Sequence, residues 1–242
     1  TVRHRAAKQT LRFEEAALRS VAQASAHIGD DDGAKEAWER IRAAHPDDIP
    51  ANRALSDIYR RLGNLVASDQ AIERALGGVG LGTRDRAELY ALRGSNSKRR
   101  WAQQWRRQTE PAVRVRVALR SRELESSLAS YRRGFDEDLN HRYSGLNALA
   151  LGKITLELAV HDLHAWQTRF ESDEDAGERW TVIRHGSTEV WREPAVYEAY
   201  ERFDEVKAIL KQRYGKRFRS LTPTKASEMW LYGDHFRSIR FD

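Results

Sequence analysis

A spacing of 34 residues between turn signals is the feature that most constrains how this chain can fold. Gly29 and Gly63 are 34 residues apart. The same step relates large apolar residues on either side of the glycines: Trp38 to Ile72, and Val21 to Leu55. Units of this length bury their apolar faces by stacking on their neighbours. The spacing therefore predicts a repeat protein.

The segment Pro50 to Leu76 shows what one unit contains. Leu55 and Tyr59 lie four residues apart on one helix face, and Gly63 then interrupts the helix. Apolar residues return at helical spacing after the glycine. In the preceding copy the second helix is predicted to stop at Pro46, because proline lacks an N–H and clashes with the preceding turn. Each unit is therefore predicted to be helix, turn, helix.

This unit resembles the tetratricopeptide repeat (TPR), with glycine in the turn and proline after the second helix. Ser56 and Ser68 stand at the small-residue positions of that family, and Asn52 replaces its early tryptophan. The resemblance implies an all-α fold, a right-handed superhelix of antiparallel helix pairs with a concave groove. It also implies protein–protein interaction.

Further helix pairs are predicted after the second unit. A third unit places helices at about 86–107 and 113–135, and a fourth begins near Tyr143. The TPR-like helical repeats are thus predicted to occupy residues 1–168.

A narrower resemblance lies within these units. Its signature is Tyr131, Gly134, Phe135, Asp136, Asp138, Tyr143, Gly145, Asn147 and Ala148. This pattern is similar to the TRAFs-binding domain, the TPR-like region of apoptosis signal-regulating kinases and of many bacterial TPR proteins. The resemblance implies a scaffold in signalling or in bacterial defence, where such regions accompany an effector domain.

The pattern changes after the repeats. Residues 169–193 are predicted to be an irregular insertion or a small β-hairpin near 179–192, turning at His185-Gly186-Ser187, and both alternatives stay open. Residues 194–242 are predicted to form C-terminal helices that cap the stack, with Pro194 at the first helical position.

Composition and motifs exclude several kinds of chemistry. The chain has no cysteine, so disulfides, thiolate metal sites and cysteine nucleophiles are absent. No G-x-S-x-G, Walker A or G-x-G-x-x-G motif is present. His161 and His164 lack zincin spacing. We therefore predict no catalytic residue, no metal site and no cofactor, although an enzymatic role for segment 170–242 stays open.

Localisation follows from the same features. No apolar run is long enough to span a bilayer, so no membrane partner is predicted. The absence of cysteine favours the cytoplasm. Neither the partner nor the oligomeric state can be named from the sequence.

A basic groove is the predicted partner site. The formal net charge is +6, and the first helix of each pair should line the groove. The predicted groove residues are Arg19, Gln23, Arg53, Asp57, Arg60 and Lys98. This set suits an acidic protein segment or an effector domain.

The alternative partner is nucleic acid or a nucleotide, bound by the groove and by helix 98–107. Basic residues alternate there with aromatic ones: Arg99, Arg100, Trp101, Trp105, Arg106 and Arg107. Such a surface can hold phosphates and stack bases. The competing interpretation is that both tryptophans, one turn apart, form the buried face of the helix.

Overall fold

The computed structural model describes residues 2–194, 196–198, 229–231 and 237–239, with only the backbone described for residues 2–13 and for the two strands. The described residues form ten helices: α1 Val2–His27, α2 Asp31–Ala44, α3 Ile49–Arg61, α4 Leu65–Leu76, α5 Thr83–Arg106, α6 Pro111–Arg120, α7 Arg122–Glu137, α8 Arg142–His161, α9 Leu163–Gln167 and α10 Asp173–Arg192. Two short strands, β1 Met229–Leu231 and β2 Arg237–Ile239, pair antiparallel with Trp230 opposite Ser238. The predicted all-α class is confirmed.

The chain divides into two compact units, Thr1–Leu92 and Arg93–Asp242. The division falls within α5. In the first unit α1 to α4 pack in sequence, each against the next. In the second unit α8 packs against both α7 and α10.

The turns of the first two helix pairs repeat in detail. Gly29 and Gly63 have φ angles of 81° and 83°, in the left-handed region that glycine adopts without strain. Asp30 and Asn64 follow as N-caps, accepting the N–H of Gly33 and Ala67 respectively. The predicted helix–turn–helix units are therefore confirmed for residues of the first unit.

Replacing Gly63 by alanine is expected to destabilise the protein by about 1–2 kcal/mol, because a Cβ in the left-handed region meets its own backbone. Urea unfolding followed by circular dichroism measures the change. Gly77→Ala is the matched control, because Gly77 ends α4 with a negative φ of −75°. Equal losses in the two variants would contradict the role of the left-handed turn.

Small polar residues hold α3 and α4 close together. The buried Ser68 hydroxyl donates to the Ser56 carbonyl at 2.7 Å. Asn52 is also buried, and its amide donates to the carbonyl oxygens of Pro46 and Asp48. Asn52 Oδ1 in turn accepts from Arg74 Nε at 3.0 Å. Hydrogen bonds between neighbouring segments are thus formed by the residues that occupy the family's small-residue and tryptophan positions: Ser56, Ser68 and Asn52.

Burial differs between Leu55 and Val21, two apolar residues that the 34-residue spacing relates. Leu55 is fully buried in the cluster that contains Trp38 and Ile41 of α2, whereas Val21 is 55% exposed. The helix preceding α3 covers Leu55, while no helix among the described residues covers the same side of α1. Ala22 is the buried residue there.

The second helix of the third unit is interrupted. The sequence predicts one helix over about 113–135, but α6 ends at Arg120 and α7 begins at Arg122. Ser121 separates them with an extended backbone, φ −71° and ψ 126°, and its Oγ accepts the N–H of Glu123. A side-chain cap therefore starts a new helix at a position where apolar spacing alone predicts that one helix continues.

The prediction of an irregular insertion at 169–193, or of a hairpin near 179–192, is wrong, because residues Asp173–Arg192 form α10. Ser172 caps this helix by accepting the N–H of Asp175, and acidic residues occupy its first turn. Gly186, interpreted from sequence as a turn residue, is buried in this helix instead. The Arg132 guanidinium of α7 lies against it.

The predicted capping helices at 194–242 lie mostly outside the described residues. The prediction is wrong at 229–231 and 237–239, because these residues pair as β1 and β2 instead of forming a helix. Val196 is described and buried, and it packs with Phe135 and Val190.

Candidate partner-binding surface

The predicted groove residues fall in both units. Arg19 and Gln23 lie on α1, and Arg53, Asp57 and Arg60 lie on α3 of the first unit. Lys98 lies on α5 within the second unit.

Arg19 links α1 to the start of α3. Its guanidinium forms ion pairs with Glu15, at 2.8 Å, and with Asp48. Asp48 is the N-cap of α3 and also accepts the Ala51 N–H at 2.7 Å. Arg19 is therefore held by two carboxylates rather than projecting as a free cation.

Arg53 repeats this arrangement 34 residues later. Its guanidinium pairs at 2.8 Å with Asp85, in the first turn of α5. Each arginine thus joins the first helix of one pair to the beginning of the next first helix. We call the Arg19–Asp48 and Arg53–Asp85 pairs the ion-pair ladder. The Arg53–Asp85 pair is the more open one, with both side chains 47% exposed.

The third predicted groove arginine is also paired. Arg60 contacts Asp57 at 2.6 Å, and the neighbouring Arg61 contacts both Asp57 and Asp31. Gln23 is exposed on α1. The sequence-based interpretation of this surface as basic needs correction, because carboxylates balance its arginines: Glu15, Asp48, Asp57 and Asp85. The surface carries both charges in alternation.

These contacts change the acidity of the carboxylates. The hydrogen bond from Arg19 lowers the pKa of Glu15, and the hydrogen bond from Arg61 lowers the pKa of Asp31. Burial raises the pKa of Asp48, but hydrogen bonds from Arg19 and from the Ala51 N–H outweigh that effect, leaving it below its usual value. Folding therefore favours the charged form of all three groups.

Acid is expected to weaken the first unit. Because these pKa values are lower in the folded chain, their stabilisation is present above about pH 4, the unfolded value, and is lost as pH falls through the folded values. The urea midpoint should stay level from neutral pH to about pH 5 and then fall. Asp48→Asn should lower the free energy of unfolding at neutral pH by about 1 kcal/mol and reduce the decrease of the urea midpoint in acid. Asp47→Asn, at an exposed neighbouring residue, should leave that decrease unchanged. An unchanged acid dependence in Asp48→Asn would contradict the assignment.

Lys98 has its own contacts in the second unit. Its ammonium donates to Asn147 Oδ1 at 2.7 Å and lies 5.2 Å from the centre of the Tyr131 ring. Asn147 is fully buried and also donates to the Tyr143 carbonyl. Lys98 therefore ties α5 to α7 and α8, and these contacts give it a structural role.

The narrower sequence signature marks helix contacts in the same unit. The buried ring of Tyr131 lies over Gly94, where a Cβ would come within 2.9 Å of it. Phe135 lies over Gly145 in the same way, at 3.0 Å from where a Cβ would be. The aromatic and glycine residues of the signature thus specify close approach of α5, α7 and α8.

The tryptophans of helix 98–107 are buried. Trp101 is fully buried and its indole N–H donates to the Ala118 carbonyl at 2.9 Å. Trp105 is buried beside it, with the rings 5.9 Å apart. The interpretation of a buried tryptophan face is confirmed, and neither ring is placed to stack on a base.

The arginines of this helix surround the buried face. Arg100 pairs with Glu123 at 3.0 Å, and the Arg106 guanidinium lies 5.2 Å from the Trp105 ring centre. Arg99 and Arg107 are exposed. The basic side chains are thus separated from the aromatic ones, with the cations at the surface.

His161 and His164 are exposed on either side of Asp162. Asp162 is the N-cap of α9, and the Ala165 N–H, followed by Arg116, lowers its pKa. Within the described part of the chain, no three histidine, aspartate or glutamate side chains gather as a metal site would require. None of the helices described there is long and apolar enough to cross a membrane.

Three features define a TPR-type helical repeat protein: the packed helix pairs, the glycine turns with positive φ and the serines between helices. This class of protein serves protein interaction or sensing. Residues 30–152, just over half of the chain, match the family described as Tetratricopeptide Repeats-Sensor. The chain belongs to this family.

No curated protein matches the chain. The solved structures to which the chain is similar include "Crystal structure of MamA protein" and "Crystal structure of MamA". The first is 14% identical, covers 84% of this chain and 96% of its own, and has a TM-score of 0.45. The second is 15% identical, covers 76% and 97%, and has a TM-score of 0.40.

Proposed function

We propose that this chain is a non-catalytic cytoplasmic adaptor in bacterial signalling or defence. In this proposal its first unit docks a protein partner or an effector domain through the surface that carries the ion-pair ladder. Membership of the repeat-sensor family supports the scaffold role. The similarity of its signature residues to TRAFs-binding regions supports the pathway.

The observation that carries the docking surface is the repetition of its charges. Arg19 and Arg53 occupy equivalent positions on successive first helices, and each is paired with an aspartate at the start of the next. Exposed ion pairs contribute little to stability, about 0–1 kcal/mol each. A partner can therefore exchange the open Arg53–Asp85 pair at low cost, whereas the Arg19–Asp48 pair is partly buried. A segment with both charges at matching spacing would replace the internal pairs with intermolecular ones.

A charge swap tests this surface without removing the internal pair. The double variant Arg53→Asp/Asp85→Arg keeps an ion pair between α3 and α5 but reverses the charges that a partner meets. The bait is affinity-captured from lysate of the native host, with and without nuclease, and bound protein is quantified by mass spectrometry. We expect the swap to reduce a stoichiometric, nuclease-resistant partner at least fivefold.

A matched control is the swap Lys153→Glu/Glu157→Lys, which reverses an exposed pair of 2.9 Å on α8 in the second unit. It should leave capture unchanged. Equal capture by both swapped variants would reject the ladder surface as the docking site. Recovery of nucleic acid, with protein lost after nuclease treatment, would reject the adaptor function in favour of nucleic-acid sensing.

A further inference from the structure

A cavity in the second unit is separate from the ladder surface. It has a volume of about 360 Å³ and lies among α7, α8, α9 and α10. This volume is within the range of small-molecule sites, about 300–1,000 Å³. All of its lining residues belong to the second unit, so the inference below does not depend on the proposed docking surface.

Apolar groups form most of the cavity wall. Its apolar lining includes Leu128, Ala148, Trp166, Phe170, Ile183 and Val190. Trp166 is buried, and its orientation is fixed because its indole N–H donates to the Ala176 carbonyl at 3.1 Å. The Phe170 ring stands edge-on to Trp166 with centres 5.0 Å apart. The wall can therefore hold an apolar chain or ring without first rearranging.

Close helix packing keeps the cavity formed. A Cβ on Gly152 of α8 would clash with Ser187 of α10, and one on Gly186 would clash with Arg132 of α7. Arg132 also pairs with Glu189 at 3.2 Å, which links α7 to α10. Helices α8 and α10 therefore approach closely at Gly152, and the Arg132–Glu189 pair joins α7 to α10 beside the cavity.

The polar groups at the cavity differ in whether they already have a hydrogen-bond or ion-pair partner. Glu125 is paired with Arg169, and Arg132 is paired with Glu189. The Ser187 hydroxyl donates to the Ile183 carbonyl. Arg179 also lines the cavity, and among the described residues no hydrogen-bond or ion-pair partner holds its guanidinium. It is the cation at this cavity that can accept a new anionic partner.

The surroundings of Arg179 limit the charge of that partner. Arg179 also lines a more open depression, together with Arg169 and three carboxylates, those of Glu171, Asp175 and Glu178. A group with several negative charges, such as a phosphate ester, would be repelled by these carboxylates. A single carboxylate can pair with the guanidinium fork at smaller cost.

From this placement we propose that the cavity binds a small monocarboxylic acid, with its apolar body against Trp166 and Phe170 and its carboxylate on Arg179. The adaptor would then carry a ligand site in its second unit. Octanoate is the probe for this chemistry, 1-octanol is its uncharged counterpart, and octyl phosphate is its more highly charged counterpart.

The test is a titration of the full chain followed by NMR through the Trp166 indole N–H signal. We expect saturable shifts with octanoate and weaker binding of 1-octanol. Octyl phosphate should bind no more tightly than octanoate. Arg179→Ala should weaken the binding of octanoate threefold to fivefold, which is the effect of losing a partly exposed ion pair. The same variant should leave the binding of 1-octanol unchanged. Arg184→Ala, an exposed arginine on the same helix outside the cavity, is the matched control and should change neither.

Filling the cavity gives an independent variant. Ala129 is an exposed lining residue on α7, and Ala129→Phe should abolish the shifts from both probes. If that variant does not fold, the Arg179 and Arg184 comparison still decides the outcome. No saturable shift at Trp166, equal binding of octanoate and 1-octanol, or equal effects of the two arginine variants would each overturn the proposal. Tighter binding of octyl phosphate would overturn the assignment of a monocarboxylate.

Discussion

Trp101→Ala is expected to lower the free energy of unfolding by about 3–5 kcal/mol, the cost of emptying a fully buried aromatic site. Trp101 is among the largest side chains with no exposed surface. Its removal also leaves the Ala118 carbonyl without the indole donor that now contacts it at 2.9 Å. Urea unfolding monitored by circular dichroism measures the loss.

Two further substitutions separate the contributions at this site. Trp101→Phe keeps most of the apolar volume and removes the indole N–H, so about 1–3 kcal/mol should be lost. Trp180→Ala is the control, because Trp180 is only half-buried and its removal should cost less than that of Trp101. If Trp101→Ala were neutral in stability but weakened nucleic-acid binding, the ring would have to be a surface contact, against its burial.

Gly94→Val should destabilise the protein by about 3 kcal/mol, because overpacking a rigid contact forces side chains or backbone to move. The first added atom would already lie 2.9–3.0 Å from three atoms of the Tyr131 ring. That ring is fully buried and cannot swing aside as the end of a flexible chain would. The expected result is a lower urea midpoint.

A double-mutant cycle assigns the loss to this contact. Tyr131→Ala alone should cost about 3–5 kcal/mol by leaving a cavity, and the combination with Gly94→Val should cost less than the sum because valine fills part of it. Gly177→Val is the matched control, because a Cβ at Gly177 of α10 meets nothing within 4 Å. Additive losses in the cycle, or a similar loss at Gly177, would show that the Gly94–Tyr131 contact is not the cause.

Helix–turn–helix units could be predicted because their signals lie close together in the chain. The positive φ of Gly29 and Gly63 and the end of α2 before Pro46 depend on neighbouring residues. The buried face of Trp101 and Trp105 follows from their spacing of one helical turn. Such features need only local geometry and the period of the apolar residues.

The candidate surface was predicted less completely. Sequence reasoning placed Arg19, Arg53 and Arg60 on the groove side of the first helices and interpreted that surface as basic. Their partners Asp48 and Asp85 are 29 and 32 residues away from Arg19 and Arg53, at the starts of the next first helices. An acidic residue at each of those starts is the signal that could have revealed the pairing.

The sequence by itself therefore determined the repeat period, the helical class and the glycine turns of the first unit. The tertiary structure alone decided that residues 173–192 form a helix, that the arginines are paired, and that a cavity lies beside Trp166. Gly186 shows the reason. A glycine between His185 and Ser187 favours a turn, but Gly186 is buried in α10. It lies against Arg132, which is more than fifty positions earlier in the chain. Local propensity sets the available conformations, and packing between distant segments selects among them.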